Sequence, residues 1–310
     1  EAAASHGIDV MLFDWYRYDS VPFLNRCLDE GFLKAPNVND IRFGLMWANH
    51  DWLDIHPYTK GDEQKILYPG RVTPETFDKI GDLIIKEYFT KPNYWTVDGK
   101  PYFSVYDVQK FVENFGSVEA ARAAMDKLRE KAVAGVHWNL VTWGNPVLPG
   151  EKAAENTPEL LKKLGFDSGT SYVWIHHTPL PDLQTDYIKA MDDYFAFWDK
   201  ARAEYGVPYY PNVTMGWDPS PRYVEQTPEG IKNYLVTYTI GNNTPENFRE
   251  ALQRTKDRLL ADPNGPRILN INSWNEWTEG SYIEPDSIHG TGYLEAIKAV
   301  FGQAAPTAAE

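Results

Sequence analysis

This chain has almost no cysteine, no long apolar run and a shortage of positive charge, and each deficit removes a class of protein. Cys27 is the only cysteine in 310 residues, so no intrachain disulfide can form and cysteine usage leaves the redox compartment open. Cys27 falls in the apolar pattern of a helix and is expected as a small core residue. No apolar stretch approaches membrane-spanning length, and no signal peptide is visible. Lys and Arg number 30 against 44 Asp and Glu, a net charge of −14. That balance argues against nucleic acid, whose phosphates need a basic footprint, and against an anionic membrane surface. A neutral or cationic substrate suits it better. Oligomeric state is not legible.

What the chain does have is aromatic side chains: 14 Phe, 11 Trp and 19 Tyr. Core filling accounts for part of them. Trp and Tyr also stack on flat apolar faces while keeping a polar handle, and here they cluster where strands are expected to end.

Short apolar strands alternate with amphipathic helices throughout. The strands are expected at Val10–Tyr16, Ile41–Trp47, Tyr102–Tyr106, Asn139–Trp143, Gly169–Trp174, Tyr210–Met215 and Ile268–Trp274. Several are continuous apolar runs, the pattern of parallel strands covered by helices. Thr-Pro-Glu at Thr73, Thr157, Thr227 and Thr244 places a capping hydroxyl before a helix-starting proline. Ser117 is expected to start a further helix, and the longest helix is expected from Asp186 to Tyr205. The opening residues Glu1 to Ser5 read as the tail of a helix that began earlier, with one more strand upstream. The fold class that follows is α/β, a single (β/α)8 TIM barrel spanning residues 1–303, with 304–310 a disordered tail. A doubly wound open sheet would show a glycine-rich phosphate loop after its first strand, and none is present. The segments Gly144–Gly150 and Trp217–Arg222 read as strand-to-helix loops on the active face.

Barrel enzymes place their chemistry at strand ends, and here those ends carry polar groups beside aromatic rings. They supply Asp14, Trp15 and Tyr16; Trp47 and Asn49; Tyr106; Trp143; Tyr172, Trp174 and His176; Trp217, Asp218 and Arg222. The last supplies Asn275, Glu276, Trp277 and Glu279, followed by Tyr282 and Glu284. Rings for the apolar faces of a sugar, with Asp, Asn, Arg and His for its hydroxyls, make a carbohydrate pocket. Glu276 and Glu279, three positions apart after an apolar strand, are the candidate catalytic pair; two close carboxyls tend to split into an acid and a base. Asp14 and Asp218 are equally readable as helix-capping acids, and an ion pair is the better reading of Arg222. His176-His177 lacks the spacing of a metal site, and Asp192-Asp193 lies inside a helix pattern rather than at a strand end.

Asn275-Glu276-Trp277-Thr278-Glu279-Gly280, with Ile283-Glu284-Pro285-Asp286 and Gly292-Tyr293-Leu294-Glu295, resembles the C-terminal signature of glycoside hydrolase family 99. It is closer still to the related WbsX-like group, often described as glycosyltransferases of polysaccharide loci. Phe13-Asp14-Trp15-Tyr16 and Gly216-Trp217-Asp218-Pro219-Ser220-Pro221-Arg222 match that group too. The resemblance implies a (β/α)8 barrel and a retaining hydrolase of polysaccharide or glycan, with no metal and no organic cofactor. It assigns Glu276 as base on the substrate's own 2-hydroxyl and Glu279 as general acid/base. By analogy with exported relatives, it also implies a periplasmic, cell-surface or secreted location. The rival expectations are a glycosyltransferase, a sugar-binding barrel without catalysis, and a conventional double-displacement glycosidase whose nucleophile is Asp14, Asp107 or Asp218.

Overall fold

Parallel strands need covering on both faces, and the apolar runs of this chain meet helices on one side and polar side chains on the other. The computed structural model describes residues 1–19, 22–57, 65–144, 156–222 and 238–302. The Thr227 cap, most of the Gly144–Gly150 loop and the tail fall outside them.

Val10–Arg17 pairs in parallel with Arg42–Trp47, which pairs with Lys100–Val105, then His137–Val141, Ser168–Thr170 and Tyr209–Tyr210. Pro211 interrupts the last of these, and the chain continues as Asn212–Thr214, paired in parallel with Asn270–Asn272. All seven expected strands are therefore present in order, as an α/β fold with a mostly parallel central sheet. Among the described residues the ladder is an open arc rather than a closed ring. The Gly169–Trp174 expectation ran too far: its strand stops at Thr170, and Trp174 starts a short 3-10 turn.

The outer face of the arc packs on helices. Trp47 meets Phe77 and Phe111, Trp15 meets Tyr88 and Phe103, and Trp174 stacks on Tyr194. The inner face is polar and hydrogen-bonded. Ser104 donates to Asn139 at 2.9 Å, Asn139 donates to Ser168 at 2.8 Å, and Asn270 donates to Thr170 at 2.6 Å. These buried polar groups find partners in one another, which removes most of the cost of burying them.

Helix starts follow the capping chemistry. Thr73, Ser117, Asp186 and Thr244 each accept a backbone N–H in the first turn of the helix they open. Thr157 does not. Asn156 takes that role, because its side chain sits one residue earlier, where the backbone is still extended. Cys27 is exposed in a short helical turn rather than buried, and Leu28 takes the core position beside it. Among the described residues, no helix is long and apolar enough to cross a membrane.

Candidate active site

After Asn272 the chain folds into a minimal hairpin. Asn275–Glu276 pairs antiparallel with Ser281–Tyr282 across the 3-10 turn Trp277–Glu279. Gly280 closes the turn at φ 59°, and a Cβ there would stand 2.7 Å from Cβ of Asp218. Glycine is thus required by backbone conformation and by space. In the register Glu276 lies opposite Ser281, which is fully buried and donates to Asn272 Oδ1 at 2.7 Å. Side chains alternate along a strand, so Asn275 and Tyr282 occupy the other face.

The two glutamates meet at one cation. Arg222 Nη2 lies 2.9 Å from Glu279 Oε1 and 3.6 Å from Glu276 Oε1. Arg222 Nε donates to the Thr278 hydroxyl at 3.1 Å, and that hydroxyl donates to Glu276 Oε1 at 2.7 Å. Tyr172 donates to the remaining oxygen of Glu279 at 3.3 Å. Glu279 and Arg222 are buried, while Glu276 is partly open. Burial pushes the Glu279 carboxyl up to about 7; Arg222 opposes the rise and Glu276 adds to it. A group in that position holds its proton near neutrality.

A third acid faces the pair. Asp14 is open to solvent, but protein atoms crowd its carboxyl and Glu276 lies near enough for its charge to be felt. Burial first, and the nearby charge of Glu276 second, push it up to about 7. Tyr16, two residues on, shares its side of the strand. Its ring begins an arc: Tyr16 to His50 at 6.0 Å, His50 to Tyr106 at 5.4 Å, Tyr106 to Trp143 at 5.4 Å and Trp143 to His176 at 5.7 Å. Tyr172 packs edge-on against Tyr106 at 5.6 Å. Burial lowers the His176 imidazole to about 4, so it is neutral at pH 7.

The structure therefore brings together Asp14, Tyr16, Tyr106, Trp143, Tyr172, His176, Arg222, Glu276 and Glu279. It does not bring Trp15, Trp47, Trp174 or Trp217 to the cup. All four are buried, the first three against the outer helices, because they sit on the opposite parity of their strands or behind them. Asn49 is also buried and clips two strand ends together. It donates to Asp107 O at 2.7 Å and accepts from Asp107 N at 2.8 Å. Asp218 is exposed, and its Oδ1 accepts from Ser220 N at 3.0 Å, so it caps the turn leading to Arg222. Asn275, Trp277, Tyr282 and Glu284 form a group of their own, with Trp277 stacked on Tyr282. Asp192 and Asp193 are surface ion-pair partners of Arg254 and Lys189. His50 and Trp52, three and five positions beyond Trp47 at the same strand end, complete the wall, each meeting the Tyr16 ring. Thr278, inside the motif itself, was overlooked as a link between Arg222 and Glu276.

The family described as Glycosyltransferase WbsX matches residues 1–297. An uncharacterized protein WxcX of Xanthomonas campestris pv. campestris, strain B100, is 26% identical over 99% of this chain. The chain spans only 41% of that relative's length. Among solved structures, a GH99 endo-alpha-mannosidase of Bacteroides thetaiotaomicron in complex with bis-tris-propane superposes with a TM-score of 0.55 at 14% identity. That match covers 93% of this chain and 77% of that one. A glycoside hydrolase-like protein gives 0.56 at 14% identity, covering 98% of this chain and 84% of the other. At that identity the likeness is one of fold.

Proposed function

This chain belongs to the WbsX glycosyltransferase family, and from that membership and the geometry above we propose that it is a glycan-processing enzyme that hydrolyses glycosidic bonds with net retention. The carrying observation is that Glu276 and Glu279 reach the same Arg222 nitrogen inside one ring-lined cup. Sharing one guanidinium nitrogen turns both carboxyls towards one small region, as two groups serving a single glycosidic bond require.

The roles follow from the environments. Arg222 occupies Glu279 Oε1, so a proton on Glu279 resides at Oε2, on the Tyr172 side. Glu279 gives that proton to the glycosidic oxygen as the bond from C1 breaks. Glu276, with Oε1 tied to Thr278, takes the proton of the substrate 2-hydroxyl through its free oxygen as O2 closes on C1. A 1,2-anhydro sugar results. Water then attacks C1 as the C1–O2 bond breaks, giving its proton to Glu279 while O2 recovers the proton held by Glu276. The fold that fits this reading is a (β/α)8 barrel of which the seven parallel strands form an arc. The first substrates to try are α-linked glycans with a free 2-hydroxyl, α-mannosides among them, since a neighbouring fold is that of an endo-alpha-mannosidase.

A conventional double displacement is the alternative if Asp14 is the nucleophile. The family description favours a second reading, glycosyl transfer from an activated donor. One screen separates hydrolysis from transfer: polysaccharides and oligosaccharides are incubated in H2-18O with and without nucleotide sugars. Hydrolysis labels the new reducing end without any donor, and Glu276→Gln and Glu279→Gln each lower the rate by a factor on the order of 100 or more. Turnover only in the presence of a nucleotide sugar would reject the hydrolase reading.

A further inference from the structure

The small hairpin that carries the two glutamates has a second face, and that face is built. Asn275 and Tyr282 stand directly opposite one another on it, away from buried Ser281. Trp277, between the glutamates in sequence, lays its indole parallel to the Tyr282 ring, with centroids 3.7 Å apart and an interplanar angle of 15°. Its Nε1 donates to Glu284 Oε2 at 2.8 Å. The indole is therefore fixed by a ring on one side and a carboxylate at its edge. Yet 43% of Trp277 remains exposed. A residue serving only to clamp the hairpin would gain by being covered, because exposed aromatic surface forgoes the largest favourable contribution it can make. Here a rigid indole stays open to solvent, with the Asn275 amide on the same face and a carboxylate at its rim.

We propose that Trp277, with Asn275, Tyr282 and Glu284, is a carbohydrate platform distinct from the cup. It takes one pyranose ring of the glycan by stacking on the open indole face and hydrogen bonding to the amide and carboxylate. The inference rests on the glycan-processing reading, and it adds that polymer is held on the back of the catalytic hairpin while another part of it is cut. An apolar protein partner fits less well, since both ends of the aromatic pair are framed by polar groups. A fixed ring loses little conformational freedom on binding, so one stacked pyranose can be captured, reversibly, by a small surface.

Protein labelled with 5-fluorotryptophan tests this without requiring turnover. Trp277→Phe identifies the Trp277 fluorine resonance, and mannotriose, maltotriose, cellotriose and chitotriose are titrated in turn at millimolar concentration. At least one probe moves that resonance saturably, and the response persists in Glu276→Gln and Glu279→Gln. Glu284→Ala, which frees the indole edge and removes the carboxylate, weakens the same response about tenfold, the scale of one lost hydrogen bond. A Trp277 resonance that no probe moves overturns the platform. So does a response lost in Glu276→Gln, which would mean the indole merely reports on the cup. If the platform binds sugar but the glycan screen shows no hydrolysis, only the catalytic reading fails; the reverse outcome removes only the platform.

Discussion

Arg222 shares one guanidinium nitrogen between two carboxylates and sits closer to Glu279, at 2.9 Å, than to Glu276, at 3.6 Å. Its charge and its hydrogen bond both hold the Glu279 pKa down against the effect of burial. Arg222→Gln removes the charge, so Glu279 should keep its proton to higher pH than about 7. The alkaline limb of the kcat/KM profile should then move up by about one pH unit, with Arg222→Lys intermediate. A limb that stays in place in the Gln variant would detach Arg222 from the acid.

Glu279 also makes stability depend on pH. Its folded pKa is raised, from 4.5 to about 7, so between those values the folded state binds more proton than the unfolded chain. Stability contributed by the buried neutral acid is complete below 4.5, declines as pH rises, and is gone above about 7. The gap corresponds to about 3 kcal/mol. Glu279→Gln is neutral at every pH and should unfold at a higher temperature than wild type at pH 8. At pH 4.5 the two should nearly coincide. Melting curves at both pH values check this, and equal wild-type and variant temperatures at pH 8 would contradict a buried, proton-holding Glu279.

Much of this is legible in the sequence, and the misplaced strand tryptophans, Trp15 and Trp47, share one cause. Continuous apolar runs marked the parallel strands because both faces of such strands are covered. Hydroxyls and acids before helix starts marked the caps. The glutamate pair stood out because nothing in a core requires two acids beside an abrupt strand end. Not every aromatic near a strand end faces the mouth, and Trp15 and Trp47 pack outward against helices instead. Trp15 lies between Asp14 and Tyr16, and alternation alone sends it to the opposite side. The same count, applied from Trp47, would have kept it in the core. What no count could find is the Arg222–Thr278–Glu276 relay, which joins residues 56 positions apart in sequence at 3.1 Å. The two-faced hairpin was equally hidden, because its register depends on a turn only three residues long.

Asp14 separates the two hydrolytic mechanisms. Its carboxyl is pushed up to about 7 by burial and by the charge of Glu276, so at pH 5.5 it is largely protonated. Asn imitates that neutral state. Asp14→Asn should therefore turn over within about threefold of wild type at pH 5.5 and diverge above pH 7, where the wild-type residue gains a charge. If Asp14 is instead the nucleophile of a double displacement, the Asn variant loses activity at every pH. Rates at pH 5.5 and pH 8 on the glycan found by the screen decide between them.

Gly280 ties the hairpin to the loop that delivers Arg222. Asp218 N donates to Glu279 O at 2.6 Å, and the Gly280 backbone passes so close to Asp218 that a Cβ would fall 2.7 Å from its Cβ and 2.9 Å from its nitrogen. Neither atom is the movable end of a long side chain, so one of the two segments must retreat. The left-handed conformation at φ 59° adds a cost of about 1 kcal/mol for any residue with a Cβ. Gly280→Ala should lower stability by about 1–3 kcal/mol in urea unfolding. If Glu279 is the proton donor proposed above, it should also cut kcat at least about tenfold, because an ångström-scale shift of Glu279 from Arg222 spoils its placement. Gly280→Ala with wild-type kcat would show that the contact between hairpin and loop is not what aligns the acid.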